Sequence, residues 1–265
     1  MERPPQRFRI GGVPFGVGAP LLHGLDGEPT VELVRAVPTD LIPSLRAGAI
    51  DAALVSSIEG FRRPGYAAVD GVGICCHGAV QSVRAFRRRG RPIRSVGLTH
   101  ESESSVALLR ALLRGPLRAE SGVAFERVRS TRTPDALPHD LVLLIGDDGL
   151  HADPGEREPI DLGAAWLDWT GLPFVFALWL IRPGVDADAL AAILTRARET
   201  ARSLPRTSEE GGVHYDVGPA EHEGLARFAD EARALGLTEP DCAPRFVGLP
   251  HVSPAPRRAS DQGSD

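Results

Sequence analysis

The chain has 265 residues, of which 42% are hydrophobic and 25% charged; this composition excludes a disordered chain and is enough for one large or two small domains with a sizeable core. Its 30 Lys plus Arg against 35 Asp plus Glu leave a formal charge of −5, which argues against a dedicated nucleic-acid binder. Every basic side chain of that set is arginine, so Schiff-base chemistry, a lysine general base and a P-loop lysine are excluded.

Short apolar runs alternate with helical periods along the chain, the pattern of an α/β protein. Met1 to Arg9 is polar and contains Pro4 and Pro5, so no signal peptide is expected. Arg9 to Phe15 reads as a first strand running into Gly16, Gly18 and Pro20. Thr39 can cap a short helix that places Leu41, Ile42 and Leu45 on one face and stops at Gly48. Ile50 to Val55 is a buried-type strand, Val72 to Cys76 another, and Val80 to Phe86 continues extended. Ile93 to Leu98 predicts a strand, after which Ser102 or Ser104 caps a helix carrying Val106, Leu109, Leu112 and Leu113. Leu141 to Ile145 is a continuous buried strand, Leu162 to Trp169 reads as helical, and Pro173 to Ile181 as extended. The longest apolar stretch, Leu172 to Ile181, is too short to span a bilayer. Two helices are expected at Asp186 to Leu204 and Pro219 to Leu235, and a disordered tail from Ser253. If the two extended segments cross between lobes, the middle third is an inserted lobe: residues 1–86 and 176–252 form one lobe and 87–175 the other, with 253–265 as tail.

Several polar groups end strands, where open α/β sheets bind ligands. Ser56, Ser57 and Glu59 follow the buried strand at 50–55; the hydroxyls can donate to a carboxylate or merely satisfy a turn. Ser102, Ser104 and Ser105 open a helix, whose free N–H groups suit an anion, although ordinary capping explains them too. Asp147 and Asp148 end the strand at 141–145, as acid/base carboxylates or as a solvated strand end. Cys75, Cys76 and His77 invite a nucleophile–base reading, but neighbours on a strand face opposite ways and cysteine is commonly buried. His77 is the better candidate for polar contact. Three cysteines without CxxC spacing argue against a disulfide framework or structural zinc and fit a reducing, cytoplasmic setting. The glycines at 11, 12, 16 and 18 do not have dinucleotide-loop spacing. The arginines at 84, 87, 88, 89, 91 and 94 read as a solvated or interlobe surface before a phosphate site.

In order, Arg9-Ile10-Gly11-x-Val13-x-Phe15, Gly48-x-Ile50 through Glu59, Gly78-x-Val80-x-Ser82-Val83, Ser102-x-Ser104-Ser105, Leu144-Ile145-Gly146-Asp147 and Asp161-Leu162-Gly163-x-x-Trp166-x-x-Trp169 through Trp179 resemble one family over roughly residues 9–183. That family is the chorismate dehydratases of the futalosine route to menaquinone. The resemblance implies an α/β, two-lobed fold of the periplasmic binding protein type II class, with a mixed sheet in each lobe flanked by helices. It implies dehydration of chorismate to 3-[(1-carboxyvinyl)oxy]benzoate, with no cofactor and no metal, on a small dicarboxylate substrate and with neither nucleic acid nor membrane as partner. The hydroxyls of Ser56, Ser57, Ser82, Ser102, Ser104 and Ser105 are then the expected substrate-binding groups, and His77 and Asp147 the expected catalytic ones. The chain departs from the pattern at Val17, where the family has an Asn linked to proton removal, and at His77, where it tends to have Asp. Two other readings remain open: a catalytically altered or inactive small-anion binding protein on the same scaffold, and the related lyase later in that route, which acts on a cyclic futalosine-type substrate. Oligomeric state is not legible.

Overall fold

The computed structural model describes residues 7–13, 16–202 and 212–248. From the amino end, β1 (Phe8–Gly12), β2 (Val31–Arg35), helix α1 (Pro38–Arg46), β3 (Ala52–Ser56) and β4 (Ala67–Cys76) begin a first sheet. The chain then crosses to a second sheet through β5 (Val83–Arg87), β6 (Ser95–Leu98), α2 (Glu103–Arg114), β7 (Ala124–Arg127), β8 (Leu141–Ile145), α3 (Gly146–His151) and β9 (Glu158–Asp161). Helix α4 (Leu162–Thr170) leads back to the first sheet, which is completed by β10 (Phe174–Ile181), α5 (Ala187–Ala201), β11 (Val213–Asp216), α6 (Pro219–Ala234) and β12 (Arg245–Val247). The first sheet runs β11-β4-β10-β3-β1-β2 with β12 on β4; the second runs β7-β6-β8-β5-β9. Each sheet has a parallel triplet, β2-β1-β3 in the first and β7-β6-β8 in the second, continued by antiparallel strands. The fold is thus two mixed sheets flanked by helices, one in each lobe.

The crossings fall elsewhere than the sequence suggested. β5 pairs with β8 and β9 from Val83 onward, so the second sheet starts before residue 87; β10 pairs with β4 from Phe174, so the first sheet resumes before residue 176. The apparent run from Val80 to Phe86 is broken at Gln81, which adopts φ 60° while the Ser82 N–H bonds the Val80 carbonyl at 2.7 Å. A non-glycine residue with positive φ leaves no mark on a hydrophobic pattern. Asp161 ties the two crossings together: its carboxylate caps α4 at the Ala164 N–H (3.0 Å) and accepts from Gln81 N–H (2.7 Å) and Val80 N–H (3.1 Å). A Cβ on Gly163 would lie 2.4 Å from the Gly78 carbonyl and 2.7 Å from the Cys76 sulfur, so only glycine lets α4 come this close to the first crossing.

Periodicity located the long elements. Asp186 caps α5 through Ala189 N–H and Ser102 caps α2 through Ser105 N–H, as short polar acceptors do. Helix α1 begins instead at Pro38, after Val37. The four-residue β7 is exposed throughout and so had no apolar signature. One apolar cluster runs from Ile10, Leu54 and Trp179 in the first lobe to Val96, Leu108 and Leu143 in the second. Trp166 sits at its waist, fully buried, with rings of Phe174 at 5.5 Å and Phe228 at 6.4 Å and its indole N–H on the Pro173 carbonyl at 3.1 Å. The other face of β8 packs Val142 and Leu144 with Phe86 and Ala152, which is why that strand reads as an unbroken apolar run. Among the described residues no helix is long and apolar enough to cross a membrane. The expected tail at 253–265 lies outside the described residues.

Candidate active site

The carboxyl ends of the two parallel triplets face one another across a cavity of about 630 Å³, the location that open α/β sheets reserve for ligands. The first lobe supplies an apolar wall: Val13 and Val17 after β1, Val37 after β2, Leu54 and Val55 on β3, and Phe176 on β10. Ser56, at the end of β3, is the hydroxyl on that side. The second lobe supplies most of the polar groups, beside Val83, Ile145 and Leu150. His100, Glu101, Ser102 and Ser105 follow β6; Ser130 and Arg132 follow β7; Asp147 and Asp148 follow β8. Ser82, from the first crossing, lies between the walls.

The structure divides the expected hydroxyls into two sets. Ser56, Ser82, Ser102 and Ser105 line the cavity. Ser57 and Ser104 do not; both are fully buried and bond each other at 3.0 Å. Ser57 Oγ also lies 2.7 Å from the Val175 carbonyl, and a carbonyl can only accept, so the single Ser57 proton goes there. Ser104 must then donate to Ser57, while accepting from Ile58 N–H at 3.1 Å. Neither has a proton left for a ligand. They join the first lobe to the amino end of α2, together with the Glu103 N–H, which bonds Ser56 Oγ at 3.1 Å, and the Arg62–Glu103 ion pair at 3.1 Å. Ser56 and Ser102 only accept in their recorded bonds, Ser102 from the Ser105 hydroxyl (3.0 Å) and N–H (3.3 Å). Each keeps its own O–H to donate into the cavity.

His77 is exposed and lies outside the cavity lining. It follows β4, which pairs antiparallel with β10 just as β3 does and so runs parallel to β3; β4 ends on the same edge of the sheet as Ser56, but His77, one residue past that end, is not among the residues that line the cavity. Asp147 does line the cavity, exposed, with no hydrogen-bond partner for its carboxylate among the described residues. Asp148 accepts from Arg132 Nε at 3.1 Å.

The remaining polar candidates are structural. Glu59 is fully buried and takes a two-pronged bond from Arg46 (2.8 and 2.6 Å) and the Tyr66 hydroxyl (3.3 Å). Burial pushes the Tyr66 phenol up to about 12, aided by the Glu59 charge. Burial likewise pushes the Cys76 thiol up to about 12 and the Cys75 thiol well above its ordinary value, which favours the thiol over the thiolate, and neither side chain lines the cavity. Two arginines of the run are spent on protein carbonyls, Arg84 on Gly149 and Leu150, where it braces α3, and Arg88 on Leu137 and His139, and Arg94 pairs with Glu120.

Sequence reasoning missed Ser130 and Arg132. Both depend on β7, the third parallel strand of the second sheet, which has no apolar residue buried. The available signal was symmetry: two strands ending at a crevice, at 98 and 145, leave room for a third.

Comparison with known proteins agrees with this geometry. The Menaquinone biosynthesis family matches residues 8–210. The chorismate dehydratase of Thermus thermophilus is 32% identical over 83% of this chain and 92% of its own length. That of Campylobacter jejuni is 31% identical over 82% and 90%. Among solved structures, a protein of Archaeoglobus fulgidus superposes with a TM-score of 0.61 at 15% identity, covering 87% of this chain and 98% of its own. The periplasmic aliphatic sulphonate binding protein of Escherichia coli does so with 0.56 at 16% identity, covering 91% and 96%. These two show the fold alone, a two-lobed binding-protein scaffold. The chain belongs to the menaquinone biosynthesis family and is a relative of the chorismate dehydratases.

Proposed function

We propose that the protein is a chorismate dehydratase, a carbon–oxygen hydro-lyase that converts chorismate to 3-[(1-carboxyvinyl)oxy]benzoate. The observation that carries the reading is a largely apolar cavity whose polar groups are concentrated on the second lobe in a chain 32% identical to a chorismate dehydratase over most of its length. Chorismate is an unsaturated ring with two carboxylates and a hydroxyl, and it suits such a cavity: the ring lies on Val17, Leu54 and Phe176, and the polar substituents face the second lobe. The reaction is redox-neutral. One ring C–H proton is removed, the ring hydroxyl departs with a proton as water, and the ring becomes aromatic, so the driving force is in the substrate. The protein has to orient the ring, accept a proton and assist the leaving hydroxyl.

Asp147 is assigned the proton transfer, because its carboxylate stands on the wall uncommitted to any described residue. The free O–H groups of Ser56 and Ser102 are assigned the substrate's polar groups; Ser105 orients Ser102 by donating to it, and Ser82 donates to the Val80 carbonyl. His77 has no part in this scheme. Purified protein incubated with chorismate is expected to release the aromatic enol ether, detected by chromatography. Asp147→Asn is expected to lower kcat by about 100-fold or more, the usual contribution of a positioned base, with chorismate affinity changed only a few-fold.

One observation favours a second reading. Val17 lines the cavity and can neither accept nor donate a hydrogen bond. If its side chain has cost the protein its chemistry, the protein is a binder of small anions on the same scaffold. Tight chorismate binding without product would select this reading, and Val17→Asn is then expected to restore turnover.

A further inference from the structure

The sequence between β7 and Pro134 contributes two side chains to the cavity that no expectation assigned. Ser130 and Arg132 both line it. Thr131, between them, turns away and shares a hydrogen bond with the Thr133 hydroxyl at 3.1 Å. The segment is therefore extended enough to present alternate residues inward. Ser130 Oγ is buried and has no hydrogen-bond partner among the described residues, a cost that proteins seldom bear without a use for the group. Arg132 is the guanidinium among the described lining residues, set among the carboxylates of Glu101, Asp147 and Asp148. Its Nε donates to Asp148 Oδ1 at 3.1 Å, with the two side chains 58% and 33% exposed.

We propose that Ser130 and Arg132 are the carboxylate receptor of this cavity and set its preference for an acid-bearing ring, with Asp148 occupying Arg132 until the ligand's carboxylate displaces it. This rests on the reading above that the ligand is a dicarboxylate. An arginine fork matches a carboxylate in a two-pronged way that a hydroxyl cannot. An exposed Arg–Asp pair contributes little to stability, so exchanging one carboxylate for another costs the fold little. Ser130 adds a donor that is at present unused.

The test measures binding of chorismate and of isophthalate, a generic aromatic dicarboxylate, by calorimetry, alongside chorismate turnover and melting temperature. Arg132→Gln is expected to weaken binding of both compounds at least tenfold with an unchanged melting temperature, raising KM far more than it lowers kcat. Ser130→Ala is expected to weaken binding a few-fold. Asp148→Asn is expected to tighten it, because it releases Arg132. If Arg132→Gln binds both compounds as the unaltered protein does, or if Asp148→Asn weakens binding as much as Arg132→Gln while both lower the melting temperature, the pair is structural and the receptor is refuted. Turnover that survives Arg132→Gln with unchanged KM refutes the receptor and leaves the dehydratase reading intact. Arg132-dependent binding of both compounds without product refutes the dehydratase reading and leaves the receptor intact. Binding of neither compound by the unaltered protein overturns both.

Discussion

The two lobes meet along two different contacts. On one side, the segment at 56–62 and the amino end of α2 are joined by buried hydroxyls, backbone N–H groups and an ion pair, backed by the apolar cluster around Trp166. On the other side they stand apart and enclose the cavity. The same short serine motifs feed both. Ser57 and Ser104 go to the join alone, whereas Ser56 accepts the Glu103 N–H at the join and also lines the cavity, as Ser105 does. Proton accounting narrows the donors further than position does: Ser105 spends its proton on Ser102 and Ser82 on the Val80 carbonyl, which leaves Ser56 and Ser102 as the cavity hydroxyls with a proton to give. A continuous core through the join packs the two lobes against each other beside the cavity.

The join is most exposed to damage at Trp166. Trp166→Ala removes a fully buried indole, its contacts with Phe174 and Phe228, and the bond to Pro173. A loss of about 3–5 kcal/mol is expected, measured by urea unfolding; a loss under about 1 kcal/mol would mean that the lobes are held together elsewhere. The serines sharpen the comparison. Ser104→Ala leaves the buried Ile58 N–H and one Ser57 acceptor site without their partner, and is expected to cost about 1–3 kcal/mol with KM little changed. Ser102→Ala removes an α2 cap worth about 1 kcal/mol and a cavity donor, so its larger effect should be on KM. Equal effects of the two variants on KM would erase the distinction between join and cavity.

What was legible in the sequence follows the same division. Runs such as Leu141 to Ile145 and stripes such as Leu190, Ile193 and Leu194 are set by burial, which composition records directly, and these elements were found within a few residues. The Asp161 to Trp179 block was legible as a motif, and the structure shows its physical content: a cap that ties two crossings, a glycine required by close approach, and a tryptophan at the waist of the core. Site residues were half legible. The ends of β3, β6 and β8 follow from buried strands, so Ser56, Ser102, Ser105 and Asp147 could be placed at a cavity edge. Which of two adjacent serines turns inward depends on tertiary partners such as the Val175 carbonyl, 118 residues from Ser57, and no local pattern encodes that. Arg132 was hidden because the strand before it is exposed along its whole length.

Glu103 offers the mildest probe of the join. Burial alone would raise its pKa, but Arg127 and Arg62 outweigh burial and hold the carboxyl below its ordinary 4.5. A depressed carboxylate contributes stability that is fully present above the unfolded value and is lost as pH falls through the folded value. The ion pair from Arg62 reaches across the lobes, whereas that from Arg127 stays within the second, so acid should loosen the join before it disturbs either sheet. Because the pairs are partly solvated, the contribution at neutral pH is expected to be about 1 kcal/mol. Glu103→Gln removes the charge while keeping the shape and the N–H that bonds Ser56. Melting temperatures followed from pH 7 into acid should show the unaltered protein more stable than Glu103→Gln at neutral pH, the gap closing as pH falls below the ordinary 4.5 and through the lowered folded value. Parallel curves would assign acid sensitivity to other carboxylates and leave the buried hydroxyls and Trp166 as the groups that hold the lobes together.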